Sequence, residues 1–310
     1  MNASAPSSAA DSRSTEQRVI DFVTGFTIET TPGAWEELAD YREMLRPGTT
    51  VAVTFLPGSD FADTVKTAKR LKDEGFNPAP HFAARSIPSE QAFADYLTRL
   101  QGEVGIHEVV CLAGAVDTPL DSSMALLETG LFEKHGIEKI GVAGHPEGSP
   151  DIPDEAVKQA LKWKNDLAER SDAEFYVATQ FVFESKPIIA WDKAIQAEGN
   201  RLPVHIGVPG LATLKTLITH AKHCGIGPSM NFLLKQARNV TKLMVVNAPD
   251  RLVLALANYK AEDPDCGIVK MHLYPLGGMR RSAAWAYAVQ DGEFALKKDG
   301  KGFELTREID

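Results

Sequence analysis

The sequence predicts an α/β protein, a single-domain (β/α)8 TIM barrel with extra helices before the eighth strand, and three observations lead there. Short apolar or β-branched runs alternate with longer stretches of helical periodicity along nearly the whole chain, as in a parallel sheet with crossover helices. The runs number about eight, enough to close a barrel. Neither a Gly-x-Gly-x-x-Gly fingerprint nor a Gly-x-x-x-x-Gly-Lys-Ser/Thr loop occurs, which disfavours the runner-up, a doubly wound open sheet with a nucleotide at its first turn.

In chain order, residues 1–17 are rich in Ser and Ala, broken by Pro6, and read as a disordered tail, leaving residues 18–310 for the barrel. The tail has no apolar core before a cleavage site and carries Asp11 and Glu16, unlike a secretory signal; its serines keep an organellar transit peptide open. The predicted strands are Phe26 to Glu29, Val51 to Phe55, Ala79 to Ala83, Val109 to Ala113, Ile140 to Ala143, Phe175 to Gln180, Val204 to Val208 and Val269 to Tyr274. Helical periodicity fills Trp35 to Leu45, Phe61 to Lys72, Glu90 to Leu100, Glu155 to Ala168, Ile188 to Ala197 and Ala212 to His223. Asp60 is placed to cap one of these, and Gly75 and Gly225 to end two. Two further helical segments, Met230 to Gln236 and Asp250 to Asn258, precede the last strand.

Charge and cysteine usage narrow the function. With 33 basic and 42 acidic residues the net charge is −9, which offers no basic field to a nucleic-acid backbone. Three scattered cysteines suit neither a disulfide framework nor a zinc knuckle. No run of about 18 apolar residues is present to span a bilayer. A cytoplasmic protein acting on a small molecule, without nucleic-acid or membrane partners, is the expectation. The histidines show no zinc-binding spacing and there is no Gly-x-Ser-x-Gly elbow, so metal catalysis and serine hydrolysis are both disfavoured.

In a barrel the chemistry sits where strands end, which nominates Glu29, Thr54, His81, Gly114, His145, Gln180, Val208 and Tyr274. Glu29 closes an apolar strand: in a partly dry cavity desolvation would suit it to general-acid work, and on the surface it would be a solvated carboxylate. Gln180, in an otherwise nearly apolar run, either reads a heterocycle by donating and accepting together or ties two strands. His81 and His145 are each ligand contacts or packed structural histidines. Arg280 and Arg281 either pair with an anionic substrate tail or start a helix in solvent.

At these strand ends, over most of Phe26 to Tyr287, the sequence resembles the methylenetetrahydrofolate reductase family, matching its catalytic barrel only. The motifs are Phe26-Thr27-Ile28-Glu29-Thr30-Thr31-Pro32, Val53-Thr54-Phe55, Pro80-His81-Phe82, Ile140-Gly141-Val142-Ala143-Gly144-His145-Pro146-Glu147-Gly148, Thr179-Gln180-Phe181-Val182-Phe183 and Leu202-Pro203-Val204-His205-Ile206-Gly207-Val208-Pro209. The resemblance implies reduction of 5,10-methylenetetrahydrofolate to 5-methyltetrahydrofolate by NAD(P)H, normally through FAD. It implies Glu29 as general acid, Gln180, Asp117, Leu214 and Arg280 as folate contacts, and Thr54, His81, Gly114, His145 and Lys164 as cofactor contacts.

The departures are specific. Where the family writes Leu-Arg-Gly-Asp, this chain has Leu112-Ala113-Gly114-Ala115, with Asp117 beyond; Tyr-Pro-Glu-x-His becomes His145-Pro146-Glu147-Gly148-Ser149; and Gly278 holds the place of the tail-binding arginine. They motivate a variant in which hydride passes directly from NADH to the folate without a flavin. Two alternatives belong to other classes: a non-catalytic folate-binding barrel and a folate-dependent methyltransferase.

Overall fold

The structure is a computed structural model that describes residues 12–32, 40–55, 58–114, 122–149, 152–223, 233–234, 246–276 and 278–309. Its centre is a closed, all-parallel barrel, as the alternation predicts. The strands are β1 (Thr27–Thr30), β2 (Thr50–Val53), β3 (Asn77–Ala83), β4 (Glu108–Leu112), β5 (Lys139–Gly144), β6 (Glu174–Phe181), β7 (Val204–Pro209) and β8 (Ile268–Tyr274). Each pairs with its sequence neighbour, and β1 closes the ring on β8 through Thr27 opposite His272 and Ile28 opposite Leu273.

Helices surround the ring: α1 (Thr15–Val23), α2 (Phe61–Asp73), α3 (Glu90–Glu103), α4 (Ser123–Glu128), α5 (Leu131–Lys134), α6 (Asp154–Ala168), α7 (Ser185–Ala197), α8 (Leu214–His223), α9 (Asp250–Glu262) and α10 (Met279–Gln290). Local chemistry sets several starts. The Ser14, Asp60, Ser89 and Ser122 side chains accept from backbone N–H groups in the first turns of α1, α2, α3 and α4, satisfying donors that a helix leaves unpaired. The main core lies between strands and helices, where Ile28, Val51, Phe82, Val109, Val177, Ile206 and Met271 are almost wholly buried. Burying each such side chain stabilises the fold by about 1.5–3 kcal/mol.

Several boundaries differ from the sequence expectation. α1 begins at Thr15, inside the stretch read as tail, because Ser14 caps it and Val19, Phe22 and Val23 form a buried stripe. Of the helix expected over Trp35 to Leu45, residues 35–39 lie outside the described part, and Tyr41–Glu43 is a single 3-10 turn capped by Asp40. Ala212 and Thr213 pair with Val246–Asn247 in a short antiparallel ladder, and the Thr213 hydroxyl accepts from Thr216 N–H, so α8 starts two residues later than periodicity indicates. Of Met230 to Gln236, Leu233 and Leu234 are described, and both are helical. A hairpin of Phe294–Leu296 and Phe303–Leu305, not anticipated, follows α10. No described helix is long and apolar enough to cross a membrane.

Candidate active site

The barrel's interior is where this fold departs from the usual design, in which bulky branched side chains fill it. Here Ala52, Ala79, Val110, Ala143 and Ala178 line it and leave a cavity of about 850 Å³, within the size range of small-molecule sites. Its floor is polar. The Tyr176 and His205 rings stack at 3.9 Å between centroids, the Lys139 ammonium lies 4.9 Å from the Tyr176 centroid, and Lys139 Nζ is 3.6 Å from Glu108 Oε1. Gly141 admits the Tyr176 ring, since a Cβ there would stand 2.6 Å from it.

Gln180 is held by a local irregularity. The β6–β7 register shifts between Ala178 and Phe181, and such a bulge re-aims a side chain. The Thr179 hydroxyl accepts from Gly207 N–H and donates to the Gln180 carbonyl, both at 2.9 Å, while the Tyr274 hydroxyl donates to the Thr179 carbonyl at 2.8 Å. Gly207 is obligatory there, because a Cβ would lie 2.4 Å from the Gln180 carbonyl oxygen. The Gln180 side chain lines the cavity and its amide has no hydrogen-bond partner among the described residues, so it does not tie two strands there.

Glu29 belongs to a cluster built by barrel closure. Its Oε2 lies 3.7 Å from His272 Nε2, and its side chain is 16% exposed, enough to leave an edge for a ligand. His272 Nδ1 is 2.7 Å from the Thr27 hydroxyl, and the Tyr274 ring meets the imidazole edge-on at 4.9 Å. Thr27, His81 and His272 line the cavity; Glu29 adjoins it through His272. Burial pushes His81 down to about 4, against the opposing pull of Glu29, and holds it neutral at pH 7.

A second group occupies the ends of β3 to β5 and the inner face of α6. Ala156, Ala160 and Lys164 line the cavity, and their spacing of four places them on one helix face. Lys164 is 4% exposed, and its ammonium donates to the Ala143 carbonyl at 3.2 Å. Burial pushes it down to about 8. His145 lines the same wall, and burial, aided by Lys164, pushes it down to about 4. Arg85 joins them from the end of β3: its backbone N–H donates to the Ala113 carbonyl at 2.8 Å and its guanidinium lies 3.4 Å from the Gly114 carbonyl. Gly114, at φ +88°, lines the wall between them, where a Cβ would stand 3.1 Å from that of Ala83.

The remaining nominated residues are elsewhere. Thr54 joins strand ends, donating to the Thr30 carbonyl at 3.2 Å, and is not among the lining residues. Leu214 is buried in a small separate cluster with Leu217, Ala221 and Leu233. The Arg280 guanidinium lies 2.8 Å from the Glu43 carboxylate, both about half exposed, and is not among the lining residues. Asp117 lies outside the described residues.

Sequence reasoning missed Arg85 and Lys222 as cavity residues. Extending the two-residue alternation of His81 and Ala83 by one step would have found Arg85; nothing local marks Lys222. With them the electrostatic character is clear. Arg85, Lys164 and Lys222 line the cavity, and among the described lining residues the sole carboxylate is Glu108, at the floor. In a chain of net charge −9, this is a local reversal of sign that favours anionic ligands. Among the described residues, no group of three or more His, Cys, Asp or Glu is placed to hold a metal.

Fold and site together define a (β/α)8 barrel with an open, cation-rimmed interior. The chain bears a distant, partial similarity to methylenetetrahydrofolate reductase: it is 35% identical over 96 residues to methylenetetrahydrofolate reductase 1 of Schizosaccharomyces pombe, a match covering 30% of this chain and 15% of that protein's length. Among solved structures, a Clostridium thermocellum protein that binds two copies of 5-methyl-5,6,7,8-tetrahydrofolic acid superposes with a TM-score of 0.56 at 12% identity, over 89% of this chain and 99% of that one. A putative copper homeostasis protein from Streptococcus agalactiae superposes at 0.39 with 14% identity, over 65% and 95%. No family model matches the chain.

Proposed function

We propose that the chain binds a reduced folate in the barrel and reduces 5,10-methylenetetrahydrofolate to 5-methyltetrahydrofolate with a nicotinamide nucleotide. The observation that carries this is the meeting, at one cavity, of a Gln180 amide with no hydrogen-bond partner among the described residues, the Glu29–His272 cluster beside it, and a wall of cations. A pterin ring presents donors and acceptors on one edge, which one amide matches with paired hydrogen bonds. The partial similarity to a methylenetetrahydrofolate reductase and the folate-binding barrel of C. thermocellum support the same ligand class.

The chemistry needs an acid. Glu29 donates its proton to N10 of the folate; the bond from the bridging carbon to N10 breaks, its electron pair stays on nitrogen, and a 5-iminium cation forms. The Glu29 carboxylate then stabilises that cation, Gln180 orients the ring, and the barrel walls limit water. Hydride delivered to the iminium carbon completes the methyl group, with the nicotinamide oxidised and one proton consumed per turnover.

A dinucleotide, NAD(P)H or FAD, fits the second wall. Lys164, a buried ammonium with one carbonyl acceptor, and the Arg85 guanidinium would hold its diphosphate, with the alanine face of α6 beside it. Its nicotinamide or flavin ring supplies the hydride when bound. Ala113 and His145 stand where the resembled family carries an Arg and a ring-stacking Tyr, which favours direct transfer from the nicotinamide.

The test is NADH and NADPH oxidation by purified protein with methylenetetrahydrofolate, with and without FAD, together with the visible spectrum and product analysis. Formation of 5-methyltetrahydrofolate by a colourless protein indifferent to FAD is the expected result. Folate binding without reduction under either donor would replace the reductase reading with a binding protein, and methyl transfer independent of reduced nicotinamide would replace it with a methyltransferase.

A further inference from the structure

The closure of β1 on β8 builds a chain of polar contacts, Thr27 to His272 to Glu29, that the resemblance does not assign. Thr27 is 5% exposed, and among the described residues the one hydrogen-bond partner of its hydroxyl is His272 Nδ1, at 2.7 Å. A threonine hydroxyl has a single hydrogen to donate. With a proton on Nδ1, the ring would donate to Thr27 and the Thr27 hydrogen would have no acceptor among the described residues, a cost for a hydroxyl at the edge of the cavity and only 5% exposed. With Nδ1 bare, the hydroxyl donates to it and both groups are satisfied. The ring proton then sits on Nε2, the atom 3.7 Å from Glu29 Oε2.

We infer that Thr27 locks His272 in its Nε2–H tautomer, so that the imidazole turns that N–H toward Glu29 Oε2, 3.7 Å away, and favours the transferable proton of Glu29 on Oε1. His272 is thus a positioning residue. It keeps the acid proton from being drawn back into the protein, and after transfer its N–H stabilises the carboxylate left behind. The catalytic half of this inference rests on the reductase reading; the tautomer does not. The other groups around the ring are the edge of Tyr274 on its own strand, His205 on the neighbouring β7 and His81 on β3, the two histidines reaching it only electrostatically. None of these is a proton acceptor for the Thr27 hydroxyl among the described hydrogen bonds.

The experiment is nitrogen NMR on histidine-labelled full-length protein without substrate, with the His272 signal identified by its loss in His272→Gln. Wild type and Thr27→Ser should show Nδ1 bare and Nε2 protonated; Thr27→Val, which keeps the shape and removes the hydroxyl, should show a tautomer mixture. In the folate assay Thr27→Val should lower kcat about tenfold, the worth of one hydrogen bond, with KM within about twofold and the acid limb of the kcat profile displaced, while Thr27→Ser stays near wild type. A wild-type Nδ1–H tautomer, or an unchanged tautomer in Thr27→Val, overturns the inference. Absence of folate reduction by the wild type would defeat the reductase reading and, with it, the catalytic half, leaving the tautomer decided by the spectrum.

Discussion

Replacing Lys164 by Met tests whether the cationic wall exists for a ligand rather than for the fold. Lys164 is 4% exposed, and burial lowers it from 10.5 to about 8. At about 1.4 kcal/mol per pH unit, holding that ammonium costs the folded state about 3 kcal/mol. The sign follows from proton linkage. Below pH 8 both folded and unfolded chains carry the proton, and the full cost is present. Between 8 and 10.5 the unfolded chain holds a proton that the folded one has released, so wild-type stability rises with pH relative to a variant lacking the group. Above 10.5 the cost is gone. Met fills nearly the same volume without charge, but it leaves the Ala143 carbonyl without this donor, a loss of about 1 kcal/mol. Lys164→Met should therefore be more stable than wild type by about 2 kcal/mol at pH 7, with the advantage shrinking above pH 8 and reversing near 10.5. Reversible urea unfolding of both proteins from pH 6 to 10.5 measures this directly. Equal stability at pH 7, or a difference that does not change with pH, would refute the reasoning. If NADH stabilises wild type against heat, as the proposed nucleotide site requires, the same variant should lose that stabilisation.

Four further outcomes are expected. Glu29→Gln should lower folate reduction at least 100-fold, by removing the acid, while folate binding measured by fluorescence stays within a few fold; an unchanged rate removes Glu29 from the chemistry. Arg85→Ala should raise the KM for the nucleotide about tenfold or more, whereas Arg280→Ala, whose pair with Glu43 is half exposed, should shift stability and kinetics by under about 1 kcal/mol; steady-state kinetics of both decides it. His81 and His145, held down to about 4, take up protons in the unfolded chain near 6.5 but not in the folded one. Their contribution is present above pH 6.5 and lost as pH falls toward 4, by up to about 3 kcal/mol each, which acid unfolding curves of His81→Asn and His145→Asn would reveal as shallower losses. Gly207→Ala should destabilise by about 1–3 kcal/mol or more, because its Cβ meets the Gln180 carbonyl at 2.4 Å, and the tertiary signature around Gln180 should change in an amide-resolved spectrum.

Much of the barrel was legible because period is a local property. The two-residue alternation of β-branched runs and the 3.6-residue stripes of the helices recur in every unit, so the parallel closed sheet followed from pattern alone. Strand ends followed from it too, and with them Glu29, His81, Gly114, His145 and Gln180 at or beside one cavity. The helix expected up to Leu45 and the start of α8 were misjudged because capping by Asp40 and Thr213 overrides periodicity over a turn or two.

What pattern by itself determined is therefore which faces point inward; what only the tertiary structure decided is which inward groups meet. Thr27, Glu29 and His272 become neighbours because the first strand closes on the last, over a separation of 245 residues between Thr27 and His272, and register across a closure is not written in either strand. Arg280 is drawn to Glu43, 237 residues away. Lys164 reaches the cavity because Ala156 and Ala160 leave one helix face slim enough to expose it. Local sequence sets backbone period through sterics and hydrogen bonding, whereas long-range pairing depends on how the whole ring packs, and it is that packing which turns scattered polar residues into a site.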